Sequence, residues 1–204
     1  MLYNTYMKYL TIVLAYLLGS IPWSLIIGRL FFKTDIREHG SGNLGGTNAG
    51  RILGKKAGVV VMALDILKCI LAVYIGSLFS QEIGVMCGVA CTLGHCYPIF
   101  ANFKGGKAVS TSIGCLFSIC AFLSFNWLLI IIPVVVFLLV LYIFKMVSLA
   151  SITAFITISI VACFLPMDWL PRLSIIFLSL LIIWRHRENI KRLLNKEERK
   201  ITWM

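Results

Sequence analysis

The chain reads as an all-α, polytopic membrane protein of seven transmembrane helices, with its N-terminus outside and its C-terminus cytoplasmic. Three observations predict this. Hydrophobic residues fill 60% of the 204 positions, against roughly 45–50% in a soluble domain. Apolar runs close to the ~20 residues that a helix needs to cross a bilayer recur along the chain. Positive charge is one-sided: with the N-terminus outside, 16 of the 19 Lys and Arg fall in inward-facing segments, Lys8 and Arg172 fall outside, and Lys68 lies within a span. The net charge of +11 therefore points to a cytoplasmic membrane face and anionic ligands, and not to nucleic acid. Residues 1–204 are read as one integral membrane domain.

The first span, Tyr9 to Leu30, contains Gly19, Pro22 and Gly28. Pro22 removes a backbone donor and predicts a kink. This run is too long for the core of a signal peptide and is read as a retained span. A basic loop follows, from Phe31 to Lys56. The second span, Ala57 to Phe79, carries Asp65 and Lys68 at i and i+3, on one helical face. Ionisable groups at that depth normally face the bundle interior. Either a self-neutralising structural pair or a support for a functional site fits them. The third span, Glu82 to Phe100, ends in Gly94-His95-Cys96-Tyr97-Pro98. The fourth opens with Asn102-Phe103-Lys104-Gly105-Gly106-Lys107 and runs to Phe125. The fifth (Trp127 to Phe144) and sixth (Val147 to Leu165) are marked only by Pro133, Lys145 and scattered Ser and Thr from Ser148 to Ser159. Small polar residues in a span usually bond helix backbone or pack helices, so these receive no functional role. The seventh span is Leu170 to Trp184. A polar tail begins at Arg185, where Ile190, Leu193 and Leu194 predict a short interfacial helix. The seven cysteines lie in or near apolar runs without a CxxC, the pattern of small buried thiols.

The segment His39 to Arg51 breaks this apolar pattern. Between Gly40 and Gly50 it holds five glycines together with Ser41, Asn43, Thr47 and Asn48. Glycine lets the main chain approach a ligand closely. Backbone N–H groups, hydroxyls, amides and the following Arg51 are the parts of an oxyanion cradle. The charge-derived topology puts this segment, the Lys104–Lys107 segment and the His186 tail on the cytoplasmic side. Pooled, they supply Arg51, Lys104, Lys107, Arg185 and Arg187 as cations. Ser41, Asn43, Thr47, Asn48, Asn189, His95 and His186 add neutral hydrogen-bonding groups. The chain has eight Asp and Glu, and few fall in these motifs. That balance suits a phosphorylated substrate and not a Mg²⁺ site, which takes carboxylate oxygens. Gly105-Gly106-Lys107 opening a helix suits an anion, although the full phosphate-loop spacing is missing. No G-x-S-x-G elbow and no Ser or Cys with a base at motif spacing is present. Neither a metal nor a cofactor is expected. A transporter of a phosphorylated small molecule could use the same cations, but would place paired broken helices near the midplane.

Ser41-Gly-Asn-Leu-Gly-Gly-Thr-Asn-Ala-Gly-Arg51, Gly94-His95, Phe103-Lys-Gly-Gly-Lys107 and Arg185-His-Arg-Glu-Asn-Ile-Lys-Arg-Leu-Leu194 closely resemble the bacterial acyl-phosphate:glycerol-3-phosphate acyltransferases. Gly19-Ser-Ile-Pro22 and Asp35-Ile-Arg-Glu-His-Gly40 fit the same family, in the same order. Gly46 stands where the family usually has Ala, and Ala108 where it usually has Gly. The resemblance implies a seven-span inner-membrane enzyme with a cytoplasmic active site. It implies transfer of a fatty acyl group from acyl-phosphate to glycerol 3-phosphate, giving 1-acylglycerol 3-phosphate (lysophosphatidic acid) and phosphate. Carried over, Ser41, Arg51, Lys107, His186 and Asn189 are the expected catalytic residues. Asn43, Thr47, Gly42, Gly45, Lys104, Gly105 and Gly106 are the expected substrate-binding or loop-shaping ones. Acyl-phosphate is a mixed anhydride, so the protein has mainly to position two anionic head groups. Either a substrate phosphate or His186, whose ordinary pKa is about 6.5, could take the hydroxyl proton.

Overall fold

The computed structural model describes residues 2–123 and 126–201. The expected end of the fourth span at Phe125, and the extreme ends of the 1–204 domain, lie outside them. Among the described residues the structure is helical, without strands. The chain divides into two compact units, Met1–Leu123 and Ser124–Met204. The first holds α1 (Leu2–Gly19), α2 (Trp23–Phe32), α3 (Gly46–Ile52), α4 (Lys55–Ser77), α5 (Gln81–Cys96) and α6 (Val109–Phe122). The second holds α7 (Leu128–Phe144), α8 (Val147–Phe164), α9 (Trp169–Arg185) and α10 (Arg187–Leu194).

In the first unit α4 is the central helix and packs against α1, α2, α3, α5 and α6. Its 23 residues span about 35 Å at 1.5 Å per residue. Small residues set the crossings: a side chain at Gly114 on α6 would run into the Ile66 carbonyl of α4, and one at Gly94 on α5 into the backbone of α1. Close backbone approach of this kind supplies dispersion contacts that the hydrophobic effect does not supply between helices in lipid. The expected kink at Pro22 is a complete break. Helix α1 ends at Gly19, α2 starts at Trp23, and the two are bent by 40°. Leu25 N and Ile26 N both turn to the Pro22 carbonyl, which leaves the Ile21 carbonyl to find another partner.

The basic segment between the first two spans, expected as a loop, is partly helical. Its second half coils into α3, and beneath it lies a small core of Leu25, Ile36, Leu44, Ala49, Leu53, Ala57 and Val61. The apolar residues interleaved with the glycines and amides supply this anchor, with Ile36 and Ala49 fully buried.

In the second unit α8 packs between α7 and α9, and α10 follows α9 through a 58° bend. Helices α4, α5 with its 3₁₀ extension (Gln81–Ala101) and α8 are each long and apolar enough to cross a membrane. The two bent pairs qualify as well if each is one span. Six of the seven cysteines are buried, and Cys163 on α8 is exposed.

Candidate functional site

The glycine-rich segment is held at both ends. Asp35 caps the 3₁₀ turn Ile36–Glu38 by accepting from the Arg37 backbone N–H at 3.0 Å. Its carboxylate also takes Arg37 Nη2 at 2.6 Å and Arg29 Nη2 at 2.8 Å. The Arg37 hydrogen bond first, with that of Arg29, holds the Asp35 carboxyl well below the usual carboxylate range against the opposing effect of burial. At the other end Asn48, 2% exposed, projects from the first turn of α3 back under the loop. Its Nδ2 donates to the Ile36 and His39 carbonyls at 3.3 and 3.2 Å. Its Oδ1 accepts from Ser41 N at 3.0 Å and from Arg51 Nη1 at 3.4 Å. The chain circles this amide by way of Gly40 and Gly42, at φ +65° and +66°, a region open to glycine at little cost.

Ser41 and Thr47 are exposed on this clamped loop, and so is Arg51 at the far end of α3. The Ser41 hydroxyl takes no partner among the described residues. Asn43 turns inward instead: its Oδ1 accepts from Gly45 N at 3.1 Å and its Nδ2 donates to the Gly105 carbonyl at 3.3 Å. That last bond crosses 62 residues of sequence and joins the two basic segments of the first unit. Asn43 thereby ties Gly45 and Gly105 into one frame.

The Lys104–Lys107 segment turns back onto the end of α5. Gly106 N donates to the His95 carbonyl at 3.0 Å. A side chain at Gly105 would collide with that carbonyl, and one at Gly106 with the His95 imidazole at Nε2. Both glycines are buried, while Lys104 is exposed and Lys107 half-buried just before α6. Ala108 follows at φ +69°, in the left-handed region where glycine is the easy residue. Below the turn, His95, Asp65 and Lys68 are 6%, 1% and 4% exposed. Lys68 Nζ lies 2.8 Å from Asp65 Oδ1, donates to the Ile21 carbonyl at 2.9 Å, and lies 3.2 Å from His95 Nδ1. The pair read from spacing alone is therefore a triad, and its third member underlies the glycine turn.

In the second unit His186 sits at the α9–α10 bend, 4% exposed, with Nδ1 2.8 Å from the Ile182 carbonyl. A carbonyl can only accept, so Nδ1 carries the proton and, in the neutral ring, Nε2 carries the lone pair. Asn189, 6% exposed, donates from Nδ2 to Glu198 Oε1 at 2.7 Å. The same carboxylate accepts from Ser148 Oγ at 2.8 Å and pairs through Oε2 with Arg192 Nε at 2.9 Å. Burial alone would raise the Glu198 pKa, but the hydrogen bonds from Asn189, Ser148 and Arg192 together bring it below the ordinary value. Sequence reasoning passed over both Ser148 and Glu198. Ser148 resembles its neighbours Ser151 and Ser159, which bond their own helix backbone. Nothing local marks it as the partner of a residue 50 positions on.

Known proteins resemble this chain over nearly its whole length. A family model described as glycerol-3-phosphate acyltransferase matches residues 9–196. The chain is 49% identical over 196 residues to a glycerol-3-phosphate acyltransferase of Bacillus subtilis, covering 96% of this chain and 98% of that one. It is 44% identical over 200 residues to one from Geobacillus kaustophilus, covering 97% and 98%. Among solved structures it resembles PlsY (YgiH), an integral membrane glycerol 3-phosphate acyltransferase. The glycerol 3-phosphate form gives a TM-score of 0.89 at 37% identity, and the lysophosphatidic acid form 0.85 at 36%. Both cover 96% of each chain.

Proposed function

Because the chain belongs to the glycerol-3-phosphate acyltransferase family, a multi-pass membrane enzyme family, we propose that it acylates glycerol 3-phosphate with acyl-phosphate as donor. The products are 1-acylglycerol 3-phosphate and inorganic phosphate. The observation that carries this reading is the Asn43–Gly105 hydrogen bond. It links the Ser41–Arg51 segment to the cationic Lys104–Lys107 segment within the first unit. The only acidic groups of those two segments and their flanks, Asp35 and Glu38, lie before Ser41 in sequence, and Asp35 is engaged by Arg29 and Arg37.

The chemistry needs little covalent help. The 1-hydroxyl oxygen of glycerol 3-phosphate attacks the acyl carbonyl carbon. The tetrahedral intermediate then collapses, the bond from the acyl carbon to the phosphate oxygen breaks, and phosphate leaves. The hydroxyl proton passes to a phosphate oxygen of a substrate. Positioning two reactants in this way can contribute ~7–11 kcal/mol in favourable cases. Arg51 and Lys107 are assigned to phosphate charge, and Lys107 adds to the positive end of α6. Ser41, Thr47 and the backbone at Gly42, Gly45, Gly105 and Gly106 are assigned to substrate hydrogen bonding, with Lys104 as a further cation. A second reading makes His186 the base: its Nδ1 faces the Ile182 carbonyl, so Nε2 is the atom that would take the proton, and Asn189 stands one turn on. His186→Gln distinguishes the two. A loss of ~10³-fold in the chemical step with binding intact assigns the proton to His186, and a small loss assigns it to substrate.

The same reading places the enzyme in the inner (plasma) membrane with seven spans and the site facing the cytoplasm. The two shorter apolar helices α6 and α7, added to the five candidate spans, support that count. The test of function is purified protein in detergent with acyl-phosphate and labelled glycerol 3-phosphate. Labelled lysophosphatidic acid formed without coenzyme A supports the proposal, and its absence overturns it. Product formed from acyl-coenzyme A alone would overturn the donor.

A further inference from the structure

Lys68 is a cation in the middle of α4, and an ammonium ion has three protons to place. A carbonyl, a counter-ion and a ring nitrogen surround it: the Ile21 carbonyl at 2.9 Å, Asp65 Oδ1 at 2.8 Å and His95 Nδ1 at 3.2 Å. The first was released by the break before Pro22. The second balances the charge. The third has a chemical consequence, because an ammonium can only donate, so the nitrogen facing it has to accept. Asp65 Oδ1 lies 3.3 Å from the same ring nitrogen, and by hydrogen-bond geometry it takes no donor. The neutral imidazole then carries its proton on Nε2, the atom that lies against Gly106. His95 also holds the turn through its own carbonyl, which accepts from Gly106 N.

We propose that Asp65, Lys68 and His95 form a positioning triad that locks His95 in its Nε2–H tautomer and so sets the Gly105–Gly106 turn and the Lys107 that follows. In this role the three residues act through the turn and not on the substrate itself. Their effect on catalysis runs through Lys107 and through Asn43, which grips the Gly105 carbonyl. A polar triad inside a membrane helix bundle is costly to bury. A hydrophobic pair of similar volume would serve packing alone at least as well. This inference rests on the assignment of Lys107 to substrate phosphate.

Two measurements test it. The first is ¹⁵N NMR of histidine-labelled enzyme in detergent, with the His95 signal identified by its loss in His95→Gln. A neutral ring protonated on Nε2, changing state in Lys68→Met, supports the triad. A ring protonated on Nδ1, or a cationic ring, overturns it. The second is a double-mutant cycle. Lys68→Met in the wild-type background is expected to lower kcat/KM roughly 10- to 100-fold, as misplacement by about 1 Å does. In the Lys107→Ala background the same change is expected to cost about 2-fold or less, because the route is already cut. Equal losses in both backgrounds overturn the proposal. If Lys68→Met does not fold, Asp65→Leu/Lys68→Met removes both charges together and takes its place in the cycle. Wild-type enzyme that makes no lysophosphatidic acid would sink the proposed function and leave the NMR result to judge the triad.

Discussion

Asn48 uses both ends of its amide on the loop that precedes it, and four hydrogen bonds depend on that one side chain. Truncation would leave the buried Ile36 carbonyl without this donor, and Ser41 N and Arg51 without their shared acceptor. Asn48→Ala is expected to destabilise the protein by about 2 kcal/mol and to lower kcat/KM at least ~10-fold by loosening Ser41 and Arg51. Thermal unfolding and steady-state kinetics on the same preparation read both. Sequence placed Asn48 among the hydrogen-bonding groups but could not tell a ligand from a clamp. Direction was the missing information: the side chain at the start of α3 points back beneath the loop. Ala108 offers a finer test. Its left-handed backbone costs roughly 1–2 kcal/mol, so glycine should relieve strain. Glycine also gives up a fully buried methyl group, worth about 0.8 kcal/mol, and adds about 0.4–1 kcal/mol of unfolded-state entropy. The two sides cancel, and Ala108→Gly should leave the unfolding temperature nearly unchanged. A large gain or loss would show that one side of that balance is misjudged.

Helix ends were legible where a residue type has a local consequence. Pro22 marked the break of the first span, and the turn from apolar to basic residues near Trp184 marked the end of α9. Helix α3 was not legible, because Gly46-Thr-Asn-Ala-Gly has poor intrinsic helix propensity. Tertiary contact carries it: α3 lies against α4 at Gly58, where any side chain would meet the backbone of Gly50, and Ala49 fills the core beneath. At the other end of the chain, Glu198 ties Asn189 and Arg192 of α10 to Ser148 of α8. The Glu198 carboxyl has a folded pKa below its ordinary value of 4.5. Its contribution is therefore fully present above that value and lost as pH falls through the lower folded one. Hydrogen exchange of α10 amides, corrected for intrinsic rate, should be flat from pH 8 to about 5 and rise below about 4. Glu198→Gln should show raised exchange already at neutral pH. Acid sensitivity that survives Glu198→Gln would assign the effect to another group.

At the scale of the whole molecule, the expectation to test is orientation. In the proposed topology sixteen of the nineteen cations fall on one side, a strong bias. A green fluorescent protein fused after Met204 should fluoresce, and an alkaline phosphatase fused there should be silent. The opposite pattern would reverse the proposed topology. The sequence by itself determined the all-helical membrane class, the family and the polar segments that distinguish it. Each of these depends on local composition, helical periodicity or an ordered run of residue types. Only the tertiary structure decided that Asn43 bonds Gly105, that Ser148 meets Glu198, and that His95 completes Asp65 and Lys68 beneath the glycine turn. Those contacts join residues 27 to 62 positions apart, and no local pattern encodes a pairing that exists only once helices have packed. The glycines show the same division. Sequence marked them as places where backbone could come close, and the fold showed what comes close: a histidine ring held by a buried lysine.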